Sequence, residues 1–235
     1  MSEIAANLAE IREKIRAACD RGGRSPASVQ LIAVSKTFPT EAVLEAVDAG
    51  QTVFGESRLQ EAEPKIEALP GTLHWHFIGR VQRNKVRKLL QSFEMIHGID
   101  SLRLAAFTDE VAGELGLFPR ILLQVNIGNE TSKGGFSADR LRSEMDQLLN
   151  LKRVGIDGMM AIPPAGRDVE SSRPWFCKLR EMRDALETEF AVKLPVLSMG
   201  MSGDFEVAIE EGATHVRVGS AIFGKRSYRV DGELG

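Results

Sequence analysis

The stretch VQLIAVSKTFP, residues 29–39, is apolar almost without interruption up to Val34 and then continues with Ser35 and Lys36. A short, continuous apolar run is typical of a strand that is buried on both faces, as the strands of parallel sheets are. A charged amine is costly to bury. The lysine at the carboxyl end of this predicted strand therefore needs an explanation.

Further apolar runs of similar length recur along the chain. The eight predicted strands are VQLIAVSK (29–36), TVFGES (52–57), HWHFIG (74–79), EMIHGID (94–100), RILLQVN (120–126), VGIDGMMAI (154–162), PVLSMG (195–200) and HVRVGS (215–220). Helical patterns lie between them, and an alternation of strands and helices requires a parallel sheet. Eight such units in 235 residues predict an α/β fold, a single (β/α)8 TIM barrel, with an open doubly wound sheet as the alternative.

The helical patterns carry their own start and stop signals. Residues 3–20 form an extra leading helix, because their isoleucines and leucines recur on one helical face. Thr40 and Ser137 are predicted N-caps, and Gly50 is placed to end the helix that starts near Thr40. The segment 173–190 is the longest helical pattern between two strands.

No linker and no change of composition divides the chain. Residues 1–235 are therefore predicted to form one domain, in which residues 1–20 contain the leading helix and residues 227–235 form a polar tail. The charged outer faces of the predicted helices favour a monomer.

The overall composition argues against several classes of partner and location. The formal net charge of −3 gives no general attraction to nucleic acid or to an anionic membrane. The two cysteines, Cys19 and Cys177, lack the spacing of a zinc site or of a disulfide framework. The polar start MSEIAANLAE is unlike a signal peptide, and no apolar run is long enough to span a bilayer. We therefore expect a cytoplasmic protein without a metal site.

The active site of such a barrel lies at the carboxyl ends of its strands. An ammonium group at the mouth of an apolar barrel loses hydration, which favours the neutral, nucleophilic amine. Lys36 is therefore a candidate to form a Schiff base with an aldehyde or a ketone. The alternative is a lysine whose side chain extends from the barrel rim into solvent.

The ends of the last two strands are typical of a phosphate site. Gly219 allows the backbone to approach a ligand closely, and Ser220 opens a short helical turn with free N–H groups. Ser198, Gly200 and the residues that follow end the seventh strand, and barrels often bind phosphate between the loops after strands seven and eight. Ordinary turn chemistry would account for the same residues.

A Schiff-base lysine and a phosphate site together are what pyridoxal 5′-phosphate (PLP) requires. Arg217 lies on the same side of its strand as Gly219, because side chains alternate. PLP sites place either a carboxylate or an arginine beside the ring nitrogen. An arginine donates hydrogen bonds and accepts none, so the ring nitrogen would stay unprotonated and the ring would be a weaker electron sink. A salt bridge in the barrel mouth is the alternative role for Arg217.

A set of motifs makes the sequence similar to a known family. In chain order they are AVSKT, FGES, WHFIG, QRNK, LLQVNI, MAIP, LSMGMS and VRVGSAIFG. Over residues 4–226 they resemble the pyridoxal phosphate homeostasis protein family, also called the proline synthase co-transcribed homologue family. The resemblance implies a PLP-binding barrel of fold type III, related to the amino-terminal domain of alanine racemase, in which Lys36 holds PLP as an internal aldimine. It also implies buffering or delivery of PLP without established turnover.

The resemblance extends to other cofactor contacts. The arginine beside the pyridine nitrogen matches Arg217, and the phosphate-binding stretches match Ser198, Met199, Gly200, Gly219 and Ser220. There are departures from the family pattern. Many members have asparagine near the cofactor where this chain has Ser57, which leaves that contact in doubt. The sequence IGRVQRNK, where members often read IGPLQSNK, adds Arg80 and Arg83 beside the barrel mouth.

Three other features of the sequence are candidates for function. His74 and His76 share one face of the third strand; without a third ligand, a packed or hydrogen-bonded role is favoured over metal binding, and His76 is placed to approach the cofactor. The basic cluster of residues 80–88 reads as a solvated helix face rather than a docking site. Lys133 lies in a glycine-containing loop after the fifth strand, either a mobile rim with a second reactive amine or a plain surface loop.

The methionines near strands six and seven form a further group. They are Met159, Met160, Met199 and Met201, and we expect them to fill the barrel interior.

Two functions of different classes remain open. One is a carrier that binds, buffers and hands PLP to PLP-dependent apo-enzymes; the other is a PLP-dependent amino-acid racemase or related enzyme. Racemisation in alanine racemase uses the lysine and a tyrosine from a second domain as its two bases. The single tyrosine here, Tyr228, lies in the polar tail, so the missing base favours the carrier. A barrel aldolase using Lys36 without PLP is a third reading, but no acid or base is clearly placed beside the lysine.

Overall fold

Eight parallel strands close into a barrel in the order in which they occur along the chain. The computed structural model describes residues 2–128, 130, 134–164 and 166–224. The strands are β1 (Gln30–Val34), β2 (Val53–Glu56), β3 (His74–Phe77), β4 (Met95–Ile99), β5 (Arg120–Val125), β6 (Gly155–Ala161), β7 (Val196–Met201) and β8 (His215–Val218). The predicted (β/α)8 barrel is confirmed, and the open-sheet alternative is wrong. Every strand lies within its predicted stretch except β7, which extends one residue further, to Met201.

The helices surround the barrel. They are α1 (Glu3–Arg21), α2 (Thr40–Asp48), α3 (Leu59–Ala68), α4 (Val86–Ser92), α5 (Leu102–Leu115), α6 (Ala138–Leu149), α7 (Arg173–Phe190), α8 (Phe205–Glu210) and α9 (Ser220–Phe223). The Ser137 side chain accepts a hydrogen bond from the backbone N–H of Arg140, which confirms it as an N-cap. The Thr40 N-cap is wrong. Pro39 keeps the extended backbone of the cap position, and Thr40 is already helical.

The leading helix completes the outer layer. The apolar face of α1 is buried, and the helix packs against α2, α8 and α9. The helix after β8 has only four residues, so α1 covers surface that a longer final helix would otherwise cover. Burying a leucine or isoleucine side chain contributes about 1.5–3 kcal/mol. Leu8 and Ile11 therefore tie the amino-terminal segment firmly to the barrel.

The barrel interior is filled by side chains from alternate strand positions. Met95, Leu122, Met160 and Val196 form a small apolar cluster there. The expectation that four methionines fill the interior is confirmed for Met160 alone. Met159 and Met199 belong to the larger cluster that includes helix residues, because neighbouring positions of a strand point to opposite faces. Met201 is 38% exposed at the rim.

The predicted tail of residues 227–235 lies outside the described residues. Among the residues that are described, none of the helices has the length and apolar character needed to cross a membrane.

Candidate functional site

A cavity of about 270 Å³ opens at the carboxyl ends of β1 and β8. The polar residues on its wall include Lys36, Ser202, Arg217 and Ser220. Small-molecule pockets commonly enclose about 300–1,000 Å³, so this one suits a compact ligand. Closure of the barrel creates the cavity, because it pairs the first strand with the last and sets Ile32 of β1 opposite Arg217 of β8.

Lys36 is the second residue after the end of β1 and lies in a tight turn. Val34 and Lys36 both line the cavity, whereas Ser35 between them is fully buried away from it. The N–H of Phe38 donates to the carbonyl oxygen of Ser35 at 3.1 Å, which closes the turn. Thr37 has a φ of 70°, a left-handed conformation that is rare for a β-branched residue and costs about 1–3 kcal/mol. The backbone beside Lys36 is therefore strained.

Arg217 is a buried cation in the wall of the same cavity. Its Nη1 donates to the carbonyl oxygen of Ser198 at 2.7 Å and to the Ser198 hydroxyl at 2.6 Å, and its Nη2 donates to the carbonyl oxygen of Ala161 at 3.1 Å. Burial lowers the pKa of Arg217 to about 10, so it remains protonated at neutral pH. Within the described part of the chain it makes no ion pair with a carboxylate. The salt-bridge alternative therefore finds no support there.

A chain of hydrogen bonds runs from Arg217 into the barrel interior. The Ser198 hydroxyl is 2.8 Å from Nδ1 of His97, and Nε2 of His97 is 3.1 Å from Nδ1 of His76. Burial lowers the pKa of His76 to about 3 and holds the pKa of His97 well below its ordinary value. Both imidazoles are therefore neutral at physiological pH. The positively charged Arg217 at the cavity wall is thus connected by hydrogen bonds to neutral side chains in the barrel interior.

The other side of the cavity is formed by the turns after β7 and β8. The Ser202 hydroxyl oxygen accepts hydrogen bonds from the backbone N–H groups of Gly219 at 3.1 Å and Ala221 at 3.4 Å. Because this oxygen already accepts twice, the hydroxyl proton is left to donate elsewhere. The predicted helical turn at Ser220 is confirmed. The Ser202 hydroxyl proton and the start of the short helix at Ser220 therefore lie on this side of the cavity, where they suit an anionic group.

Gly200 makes the close packing behind these turns possible. Its φ is 88°, and a Cβ atom at this position would lie 2.6 Å from the Cβ of Ala208 and 3.0 Å from the Cα of Phe205. A side chain at Gly200 would therefore force α8 away from β7.

The structure brings some of the predicted site residues together and separates others. Lys36, Arg217, Gly219 and Ser220 line one cavity. Ser198, Met199, Gly200 and His76 are buried outside its lining. His76 lies one layer deeper than Ile78, which lines the cavity from the same strand face.

Ser57 lies apart from this group. It lines a different cavity, together with Arg80 and Lys85. The reason is the path of the chain after β2: a Cβ atom at Gly79 would lie only 2.3 Å from the Ser57 carbonyl oxygen, so Ser57 passes directly against the end of β3.

The structure describes two of the three remaining candidates, His74 and the basic cluster of residues 80–88. His74 is exposed and pairs with Glu94, and among the described residues no group of three or more potential ligands could hold a metal ion. In the basic cluster, Arg87 pairs with Glu114 and Lys88 pairs with Glu63 on an exposed helix surface, as predicted for a solvated helix face. Lys133 lies outside the described residues.

Sequence reasoning missed several residues of the site. The apolar wall of the cavity includes Phe38, Ile78, Ile162 and Met201. No motif in the sequence pointed to His97. Its position two residues after Met95 on one strand would have pointed it into the interior, but only the closed barrel brings it against Ser198.

A closed barrel with a lysine after β1 and a buried arginine on β8 is a barrel of the alanine racemase amino-terminal type. The family model described as alanine racemase, N-terminal domain, matches residues 4–227. The chain belongs to the pyridoxal phosphate homeostasis protein family. It is 45% identical to the pyridoxal phosphate homeostasis protein of Aquifex aeolicus, and the match covers 94% of this chain and 97% of that protein.

A solved structure of a relative agrees with this membership. PipY of Synechococcus elongatus, solved without PLP, is 42% identical, with a TM-score of 0.85 over 94% of this chain and all of that one. The same protein solved with PLP bound gives a TM-score of 0.83 at 41% identity, with the same coverage. An alanine racemase of Clostridium difficile, at 16% identity and a TM-score of 0.73, shares the fold; the match covers 98% of this chain and 58% of that one.

Proposed function

We propose that this chain binds PLP reversibly, as an aldimine on Lys36, and serves to buffer the cofactor or deliver it to PLP-dependent apo-enzymes. The observation that carries the proposal is that Lys36 and Arg217 line one cavity of suitable size. The solved PLP complex of PipY, a relative at 41% identity, supports it. When bound, PLP would supply an aldehyde for the lysine and a phosphate for the turns after β7 and β8.

The residues around the cavity fit the parts of the cofactor. Nε of Arg217 makes no hydrogen bond to the described residues, and Arg217 lines the cavity, so it can donate to a ring nitrogen. The Ser202 hydroxyl proton and the start of α9 at Ser220 suit the phosphate, and Gly219 lines the cavity beside them without a side chain. Ser198 and His76 contribute indirectly in this proposal, by holding Arg217, and Gly200 contributes by packing. Ser57 remains a weaker candidate for a cofactor contact.

The attachment is tested by mapping the modified lysine. Full-length protein loaded with PLP is reduced with borohydride, digested, and analysed by mass spectrometry. We expect the pyridoxyl group on Lys36 and the loss of the aldimine absorbance in Lys36→Ala. Lys88→Ala is the matched control, because Lys88 lies on an exposed helix face and should leave the absorbance unchanged. A pyridoxyl group on another lysine in the wild-type protein would overturn the assignment.

The carrier role is tested against the racemase role in parallel assays. A trap that captures free PLP is added to both assays. We expect the loaded protein to restore the activity of a PLP-dependent apo-enzyme faster than the same amount of free PLP does. Incubation with chiral amino acids should give no racemisation, since the second base of the alanine racemase route has no counterpart that the sequence identifies. Tyr228 lies outside the described residues. Racemisation that disappears in Lys36→Ala would favour the enzyme.

A further inference from the structure

A buried ion pair lies directly behind the turn that carries Lys36. Glu56, the last residue of β2, is fully buried, and Lys65 of α3 is 5% exposed. Nζ of Lys65 is 2.6 Å from Oε1 of Glu56. The other carboxylate oxygen of Glu56 is buried and has no hydrogen-bond partner among the described residues. A buried pair with an unsatisfied oxygen is a poor source of stability, so another role has to account for it.

Both members of the pair hold Ser35, the residue before Lys36. The Ser35 hydroxyl donates to Oε1 of Glu56 at 2.8 Å. The Ser35 carbonyl oxygen accepts from Nζ of Lys65 at 2.8 Å, in addition to the turn hydrogen bond from Phe38. The side chain and the backbone of Ser35 are therefore both fixed.

A third residue holds the other side of Lys36. The backbone N–H of Thr37 donates to Oε2 of Glu61 at 3.1 Å. Glu61 and Lys65 are one turn apart on α3, so they share a helix face. Side chains on that face hydrogen-bond the N–H group of Thr37, after Lys36, and the C=O group of Ser35, before it. The strained φ of Thr37 lies directly after the N–H group that Glu61 holds, as expected when the surroundings force a conformation.

We propose that Glu56, Glu61 and Lys65 are positioning residues for Lys36, which keep its amine at a fixed place in the cavity through the backbone on either side of it. The proposal rests on the proposed function, in which Lys36 is the attachment site. Such residues need not touch the cofactor. A displaced amine would meet the aldehyde in the wrong geometry, and misplacement by about 1 Å can lower a rate by about 100-fold.

The test uses two kinds of variant. Glu61→Ala removes an acceptor at the protein surface, and the double variant Glu56→Gln with Lys65→Met removes both buried charges together, so that no charge is left unpaired. The matched control is Glu63→Ala with Lys88→Met, which removes an exposed pair between α3 and α4. An exposed pair contributes little to stability, so the control should behave as wild type.

Three quantities are measured on the full-length chain: the rate constant for attachment of PLP, its pH profile, and amide hydrogen exchange of residues 35–38 without cofactor. We expect attachment to slow by about 10- to 100-fold in both test variants, with faster exchange at Thr37 and little change in thermal midpoint for Glu61→Ala. Wild-type rates and exchange in a folded Glu61→Ala protein would overturn the proposal. Should the double variant fail to fold, Glu61→Ala decides alone.

Failure of the proposed function would look different. Borohydride mapping of the wild-type protein would then find PLP on a lysine other than Lys36, whatever the rates in the variants. If mapping finds Lys36 and the variants attach PLP at the wild-type rate, the function stands and the positioning role falls.

Discussion

Arg217 and Ser198 form a hydrogen-bonded pair that fixes the direction of the hydrogen bonds from Ser198 through His97 to His76. Arginine can only donate, so the Ser198 hydroxyl oxygen accepts from Nη1 of Arg217 at 2.6 Å. The hydroxyl proton then points to Nδ1 of His97, and the neutral His97 donates from Nε2 to His76. The tautomer of His97 is thus set by Arg217, which is two hydrogen bonds away, and the positive charge stays on Arg217 at the cavity wall.

The charge at position 217 should determine the spectrum of the bound cofactor. Replacing a donor with an acceptor in Arg217→Glu would allow the ring nitrogen to be protonated, and the aldimine absorbance should shift. Arg217→Gln is the matched variant, because it removes the positive charge without offering a carboxylate. Absorption spectra of the loaded proteins measure the difference. Identical spectra for the wild-type and Glu variants would argue against contact with the ring nitrogen.

Stability should fall as the pH drops below about 6.5. Burial lowers the pKa of His76 from 6.5 to about 3, so between these values the unfolded chain binds a proton that the folded chain does not. The free energy of unfolding should therefore be fully retained above pH 6.5 and lost on acidification, at about 1.4 kcal/mol per pH unit for each such histidine. His97, whose pKa is also lowered by burial, acts in the same direction.

Urea unfolding between pH 6.5 and 5 measures this slope, before most carboxylates titrate. His76→Gln should reduce the slope by the contribution of one histidine, whereas His74→Gln, at an exposed position on the same strand, serves as the control. A slope that is the same in wild type and His76→Gln would contradict the predicted linkage.

Gly200→Ala should destabilise the protein by about 1–3 kcal/mol, because the φ of 88° disfavours any side chain and a Cβ atom would collide with α8. Gly203→Ala, in the turn after β7, is the control, since a Cβ atom at Gly203 would meet nothing within 4 Å. Thermal unfolding of the two variants tests the difference. Equal midpoints would mean that α8 moves aside at little cost.

Ala191→Gly should stabilise the protein. Ala191 ends α7 with a φ of 51°, a left-handed conformation that costs a residue with a Cβ atom about 1–2 kcal/mol. Glycine avoids that cost but loses about 0.5–1 kcal/mol through its freer unfolded chain, so the net gain is about 0.5–1 kcal/mol. Ala49→Gly, at the end of α2 with a φ of −83°, should gain nothing. Chemical denaturation at neutral pH compares the two.

Particular residues show which features of the fold and the site could be predicted from the sequence alone. The apolar runs predicted eight strands, and Ser137 was correctly read as a cap, because these signals depend on neighbours within a few positions. Thr40 failed because Pro39, one residue earlier, takes the cap conformation. The alternation of side chains placed Arg217 and Gly219 on one side of β8, and both line the cavity. The family motifs added Lys36 as the attachment site, which remains a proposal.

The tertiary structure decided which distant residues meet. Ser57 follows β2 as predicted, yet the chain path past Gly79 puts it on another cavity. Met159 and Met160 are neighbours in sequence, but one faces the helices and the other the barrel interior. Glu56 and Lys65 hydrogen-bond Ser35, and His97 contacts Ser198. These contacts connect residues on separate strands and helices. Such contacts depend on barrel closure and strand register, which all eight strands fix together by packing, and no local pattern of residues encodes them.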